Sequence, residues 1–138
     1  MRLLNISGRL QNKSVFKYLI DWDKKSRSNI QKQVKDFLKT FWKAHVVYEE
    51  FPVYGTRQKV DILNATLRVA VEVQGKQHGS FNKFFHSNSR SKYLESIKRD
   101  VIKAQWLERN NYKLIEIEED EVGLLTKEFF EEKFNLKL

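Results

Sequence analysis

The chain has 138 residues and a mass of 16.6 kDa, room for one domain with one hydrophobic core, which excludes a two-domain enzyme carrying its own cofactor-binding half. Hydrophobic residues make up 41% and charged residues 32%, a globular balance, and the absence of Cys excludes disulfides, a thiolate nucleophile and Cys-ligated zinc. The formal net charge of +8 divides into a basic body, residues 1–115 at +13, and an acidic tail, residues 116–138 at −5. A body this basic is the footprint of a polyanion partner, nucleic acid first, with a merely Lys-rich surface as the plainer alternative. The opening apolar run is too short for a signal peptide, and no later run approaches the roughly 18 residues of a membrane span. The expectation is a soluble, cytoplasmic protein of a bacterial or phage-infected cell.

Residues 1–27 mix seven basic side chains with Phe16, Tyr18, Leu19, Ile20 and Trp22, and read as a basic arm or as short strands packed on the core. Ser28-Asn-Ile-Gln31 reads as a capping box, and Ile30, Val34, Phe37, Leu38 and Phe41 follow at helical spacing, predicting a helix to about Trp42. Val46 to Phe51 is a strand stopped at Pro52, Gly55 to Gln58 a hairpin turn, Lys59 to Leu63 a second strand, and Leu67 to Val73 a third after a turn at 64–66. Gly75 to Lys92 reads as a loop. A second helix is expected from about Ser91 to Arg109, with Leu94, Ile97, Val101 and Ala104 as its buried stripe. Tyr112 to Glu118 is a further strand, and Thr126 to Phe134 a final helix with Phe129, Phe130 and Phe134 inward. The expected fold is α/β (α+β), a central mixed sheet flanked by helices, in a single domain: residues 1–27 an extension, 28–118 the core, 119–138 an acidic C-terminal helix.

Strict alternation in Val69-Ala-Val-Glu-Val-Gln-Gly75 sends the valines to the core and turns Glu72 and Gln74 the other way. On the preceding strand Val60 and Ile62 take the core face and leave Asp61 opposite. A hairpin pairing then brings Asp61 and Glu72 to one side of the sheet, within reach of one cation. Two carboxylates and an amide oxygen suit Mg²⁺ or Mn²⁺, which would activate water against a phosphate. The plainer alternative is that both acids are exposed positions on a polar sheet face.

Val60-Asp61, ten intervening residues and Glu72-Val-Gln74 resemble the Asp…Glu-x-Lys signature of the PD-(D/E)XK nuclease superfamily, on the same α-β-β-β-α-β order. Ala70-Val-Glu-Val-Gln-Gly-Lys-Gln-His78, with Arg99-Asp100-x-x-Lys103 and Tyr112-Lys-Leu-Ile-Glu-Ile117, is similar to its very-short-patch-repair-like branch, which includes phage-borne free-standing homing endonucleases. The resemblance spans about residues 28–118. It implies that Asp61 and Glu72 are metal ligands, that His78 is a base or phosphate contact, and that Asp100 matches a later acid. Gln74 stands where most members place the catalytic Lys, so that function passes to Lys76 or Lys103, is dispensed with, or is lost with the activity. The acid often found on the first helix falls near Gln31, and Glu49 or Glu50 is its candidate replacement.

Arg57 and Lys59 flank Asp61 and are expected to contact phosphates, together with Arg99 and Lys103 on the second helix. Lys83, Arg90 and Lys92 interleave with Phe81, Phe84 and Phe85, an arrangement that either grips DNA and wedges a base step or covers the end of the sheet. The resulting expectation is an Mg²⁺-dependent endodeoxyribonuclease acting on double-stranded DNA, of the phage homing or restriction-like kind. A four-way-junction resolvase and a catalytically silent DNA-binding module are the alternatives. Cutting both strands of a duplex asks for two sites and therefore a homodimer or higher symmetric assembly.

Overall fold

Ser28 holds an extended backbone and its hydroxyl accepts the Gln31 N–H, so helix α1 begins at Asn29 and runs to Trp42. The computed structural model describes residues 1–75 and 89–138. Before α1 lie two short antiparallel strands, β1 (Arg2–Leu4) and β2 (Leu10–Asn12), and after it come β3 (Val47–Pro52), β4 (Lys59–Asn64), β5 (Val69–Gln74), α2 (Ser89–Arg109), β6 (Lys113–Glu118) and α3 (Lys127–Phe134). The main sheet has the order β3-β4-β5-β6, antiparallel through β5 and parallel between β5 and β6. A parallel pair needs a crossover, and α2 lies within it. The fold is therefore α+β with a mixed four-stranded sheet.

Helices cover both faces of that sheet. On one face α1 and α3 pack Val34, Leu38, Trp42 and Phe130 against Ile62, Val69, Val71, Ile115 and Ile117. On the other, Trp106 and Leu107 of α2 join Leu3 and Val15 of the N-terminal segment over Phe51, Tyr54, Val60, Leu63 and Ala70. On β5 the alternation holds, with Val69, Val71 and Val73 on one face, but its restriction of the core to that face is corrected, because both faces of the sheet are covered. Val60 and Ile62 belong to opposite faces. The third strand also starts later than expected, at Val69: Asn64 Oδ1 accepts the Leu67 N–H and Arg68 is left-handed at φ 57°, so both residues belong to the turn.

The expected stripe on the second helix is overturned as well. Leu94, Ile97 and Val101 are exposed among the described residues, while Trp106, Leu107 and Asn110 are buried. The inward face is Ser96, Arg99, Asp100, Lys103, Trp106, Leu107 and Asn110, polar in its first half because there it overlies a cleft and apolar only where it meets the core. Asn111 ends the helix at φ 64°, as Asn does at a left-handed stop.

Residues 1–27 lie against the core. Asn110 ties β1 down, its Oδ1 accepting the Leu4 N–H at 2.8 Å and its Nδ2 donating to the carbonyls of Leu4 and Trp106. Asn110→Ala strands the Leu4 N–H and is expected to cost about 1–3 kcal/mol, read as a lowered urea midpoint at unchanged m-value. The acidic C-terminal stretch packs on the core, where Phe130 stacks on Phe37 of α1 at 5.6 Å.

Candidate active site

At Glu50 and Asp61 the sheet changes phase. The pairs Glu49–Ile62 and Phe51–Val60 bracket them, and Glu50 is left-handed at φ 54°, a conformation a non-glycine residue holds in a strand only when its surroundings impose it. Beyond Ile62–Val71 the β4–β5 ladder stops. Asp61 and Glu72, next in register, replace its hydrogen bonds with their own carboxylates: the Asp61 N–H donates to Glu72 Oε2 at 2.9 Å, and the Val73 N–H donates to Asp61 Oδ2 at 2.8 Å. Each acid thus fixes the backbone of the other strand.

Both acids are buried, Asp61 at 5% and Glu72 at 6% exposure, so neither is the solvated position that the plainer reading assigned. Cations meet their remaining oxygens: Arg27 approaches Asp61 Oδ1 at 3.4 Å, and Lys103 of α2 pairs with Glu72 Oε1. Burial, and then the charge of Glu72, push the Asp61 carboxyl up to about 7. An acid protonated more readily folded than unfolded favours folding at low pH, and that contribution fades as pH rises from about 4 through about 7. The metal-free protein is therefore expected to lose thermal stability across that window more steeply than Asp61→Asn, whose amide keeps an acceptor for Val73. Parallel melting curves of the two proteins in EDTA would sink the idea.

A cleft of about 510 Å³ opens over this pair, lined by Arg27, Glu50, Arg57, Gln58, Lys59, Asp61, Glu72, Val73, Gln74, Ser96, Arg99, Asp100 and Lys103. It gathers Asp61, Glu72, Gln74, Arg57, Lys59, Arg99, Asp100 and Lys103, eight of the residues singled out from sequence. Arg90 and Lys92, exposed at the start of α2, do not line it. Lys76, His78 and Lys83, with Phe81, Phe84 and Phe85, lie outside the described residues.

Three contributors were not legible beforehand. Arg27 comes from the segment read as an extension. Gln31 does not close the capping box with its side chain: its Nε2 donates to Glu49 Oε2 at 2.9 Å and to Glu50 Oε1 at 3.1 Å, holding β3 at the point where Glu50 turns. Beneath it Lys35, fully buried, donates to Glu49 Oε1 at 2.8 Å and to the Lys24 carbonyl at 2.9 Å. A Lys at an inward helical position is the one sequence signal of this network, since it is almost never buried unpaired.

Two adjacent carboxylates, one of them raised by burial and then by the charge of the other, are a donor set a hard divalent cation would relieve, and Mg²⁺ commonly takes only one or two protein carboxylates with waters completing its shell. Among the described residues no cluster of three acids or histidines is arranged to hold a metal. Also among the described residues, no helix is long and apolar enough to cross a membrane.

No family model and no solved structure matches the chain. Over 77 residues it is 35% identical to Uncharacterized protein 033L of Invertebrate iridescent virus 3, an alignment that takes in 56% of this chain and 39% of the viral protein. The chain thus spans well under half the length of the curated relative it matches.

Proposed function

We propose that the chain is a metal-dependent endodeoxyribonuclease that hydrolyses phosphodiester bonds of double-stranded DNA in the Asp61–Glu72 cleft. One observation carries the reading: two buried carboxylates from adjacent strands share a cleft with Arg57, Lys59, Arg99 and Lys103. The acids suit a hard cation and the surrounding cations suit phosphate, a combination that phosphodiester hydrolysis requires. The resemblance to the PD-(D/E)XK superfamily supports the same chemistry. Bound Mg²⁺ or Mn²⁺ supplies a water of lowered pKa and polarises the phosphate.

Asp61 and Glu72 are the residues that would hold the ion, the two carboxylates buried together at the floor of the cleft. Lys103 supplies the positive charge that the Asp…Glu-x-Lys pattern places at position 74, reaching the site from α2 instead of from β5. Such a charge counts most where the pentavalent phosphorane gathers negative charge. Gln74 at the end of β5 orients water with its amide, and Arg57 and Lys59 hold the flanking phosphates. The enzyme is of the site-specific, homing or restriction-like kind, and it acts as a symmetric homodimer, because the Asp61–Glu72 cleft of one chain serves one of the two strands.

The test is cleavage of supercoiled plasmid and of a synthetic four-way junction with Mg²⁺, with Mn²⁺ or with EDTA. Metal-dependent nicking and linearisation of plasmid is the expected result. Preference for the junction would move the reading to a resolvase. Inertness on both with duplex binding retained would replace it with a DNA-binding module.

A further inference from the structure

A second cleft, of about 300 Å³, adjoins the acid site and shares Arg27 and Glu50 with it. Lys17, Lys24 and Lys25 line it and are exposed. We infer that this cleft is a preformed track for the phosphodiester backbone of duplex DNA, continuing the path of the strand held at Asp61 and Glu72. The inference rests on the nuclease reading and assigns that site its route of approach.

Rigidity separates this surface from a charged tail. Ile20 N–H donates to the Val47 carbonyl at 3.0 Å, Leu19 bridges Tyr48, and Lys32 Nζ reaches the Trp22 carbonyl at 3.0 Å. The Lys24 carbonyl is held by buried Lys35, and Ser26 Oγ donates to Glu49 Oε2 at 2.6 Å. Residues 19–26 are thereby pinned to α1 and β3, so the backbone that carries Lys24 and Lys25 needs no ordering when a ligand arrives.

The acids nearby do not cancel the track. Glu49 is neutralised by Lys35, and Asp23 pairs with Lys39 at 2.7 Å. Glu50 accepts from Gln31, and Asp21 Oδ1 accepts the Asp23 N–H. With Arg27 paired to Asp61, that leaves Lys17, Lys24 and Lys25 beside Asp21 and Glu50 in the lining, a surplus of positive charge next to the acid pair. A polyanion with regularly spaced charges fits that geometry, because each neutralised phosphate releases condensed counterions.

The test is the salt dependence of duplex binding, by fluorescence anisotropy of a labelled duplex in EDTA, for wild type and for Lys17→Ala/Lys24→Ala/Lys25→Ala. Each phosphate contact contributes about 0.9 to the slope of log K against log salt, so the triple variant is expected to lose roughly 2–3 from that slope and at least about tenfold in affinity at low salt. Lys43→Ala/Lys137→Ala, changed at exposed lysines outside both clefts, should keep the wild-type slope. A triple variant that melts like wild type and keeps its slope overturns the track while leaving metal-dependent cleavage, tested separately, untouched. If the three lysines govern binding of single strands or RNA but not of duplex, the duplex assignment is overturned. Wild type that binds no nucleic acid removes both readings.

Discussion

Glu72→Gln is expected to lower metal-dependent strand scission by about a thousandfold or more, the scale of removing a preorganised charge from a reacting centre. The substitution is chosen for what it keeps. Gln retains an oxygen that can accept the Asp61 N–H, so the cross-strand bond at 2.9 Å survives and the end of the β4–β5 ladder stays in place. What disappears is one of the two negative charges that would hold the cation, together with the partner of Lys103. Removing one of two buried like charges also relieves repulsion, which offsets part of the cost of leaving Lys103 without its partner. Duplex affinity in EDTA should stay within about twofold, since a lost acid does not weaken phosphate contacts made by Arg57, Lys59 and Arg99. The measurement is the first-order rate of plasmid nicking at saturating protein, beside anisotropy. A loss of less than about tenfold would take the reaction away from this carboxylate pair.

Lys35→Met should destabilise the protein by about 3–5 kcal/mol, the cost of breaking a buried ion pair from one side. Lys35 is fully buried and its ammonium serves two acceptors, Glu49 Oε1 and the Lys24 carbonyl. Met matches its length but leaves the Glu49 carboxylate with only Ser26 and Gln31. Adding Glu49→Gln removes the stranded charge, so the double variant should recover a large part of the loss, and urea unfolding of all four members of the cycle measures it. Additive losses would mean that the ion pair is not what the buried lysine stabilises. The single variant also tests the wiring of the site, because the same network anchors Glu50 and residues 24–26 beside Asp61.

The order of helices and strands from residue 28 onward was legible because each element carries a local signal: a hydroxyl cap at Ser28, apolar helical spacing through Phe41, a β-rich run closed by Pro52, an Asn stop after Arg109. Asp61 and Glu72 were legible as a pair for a related reason, since a hairpin about the 64–66 turn sets their register by counting. Two readings failed where locality ends. Period-two alternation identifies a core face only if the other face is wet, and here α2 and the N-terminal segment bury it. The stripe of Leu94, Ile97 and Val101 has sound helical periodicity, yet the opposite face turns inward, because Arg99, Asp100 and Lys103 overlie the acid pair and only Trp106 and Leu107 reach the core.

Composition and spacing were thus enough for a basic α+β fold with two acids on neighbouring strands, because these depend on residue type and on distances counted along one hairpin. The burial of those acids, the Lys103 that meets Glu72 from another helix, and the Arg27 that meets Asp61 from the opening segment are contacts between residues 31 and 34 positions apart. Only the packing of α2 and the N-terminal segment against the sheet closes such distances, and no local pattern encodes which side chains that packing brings together.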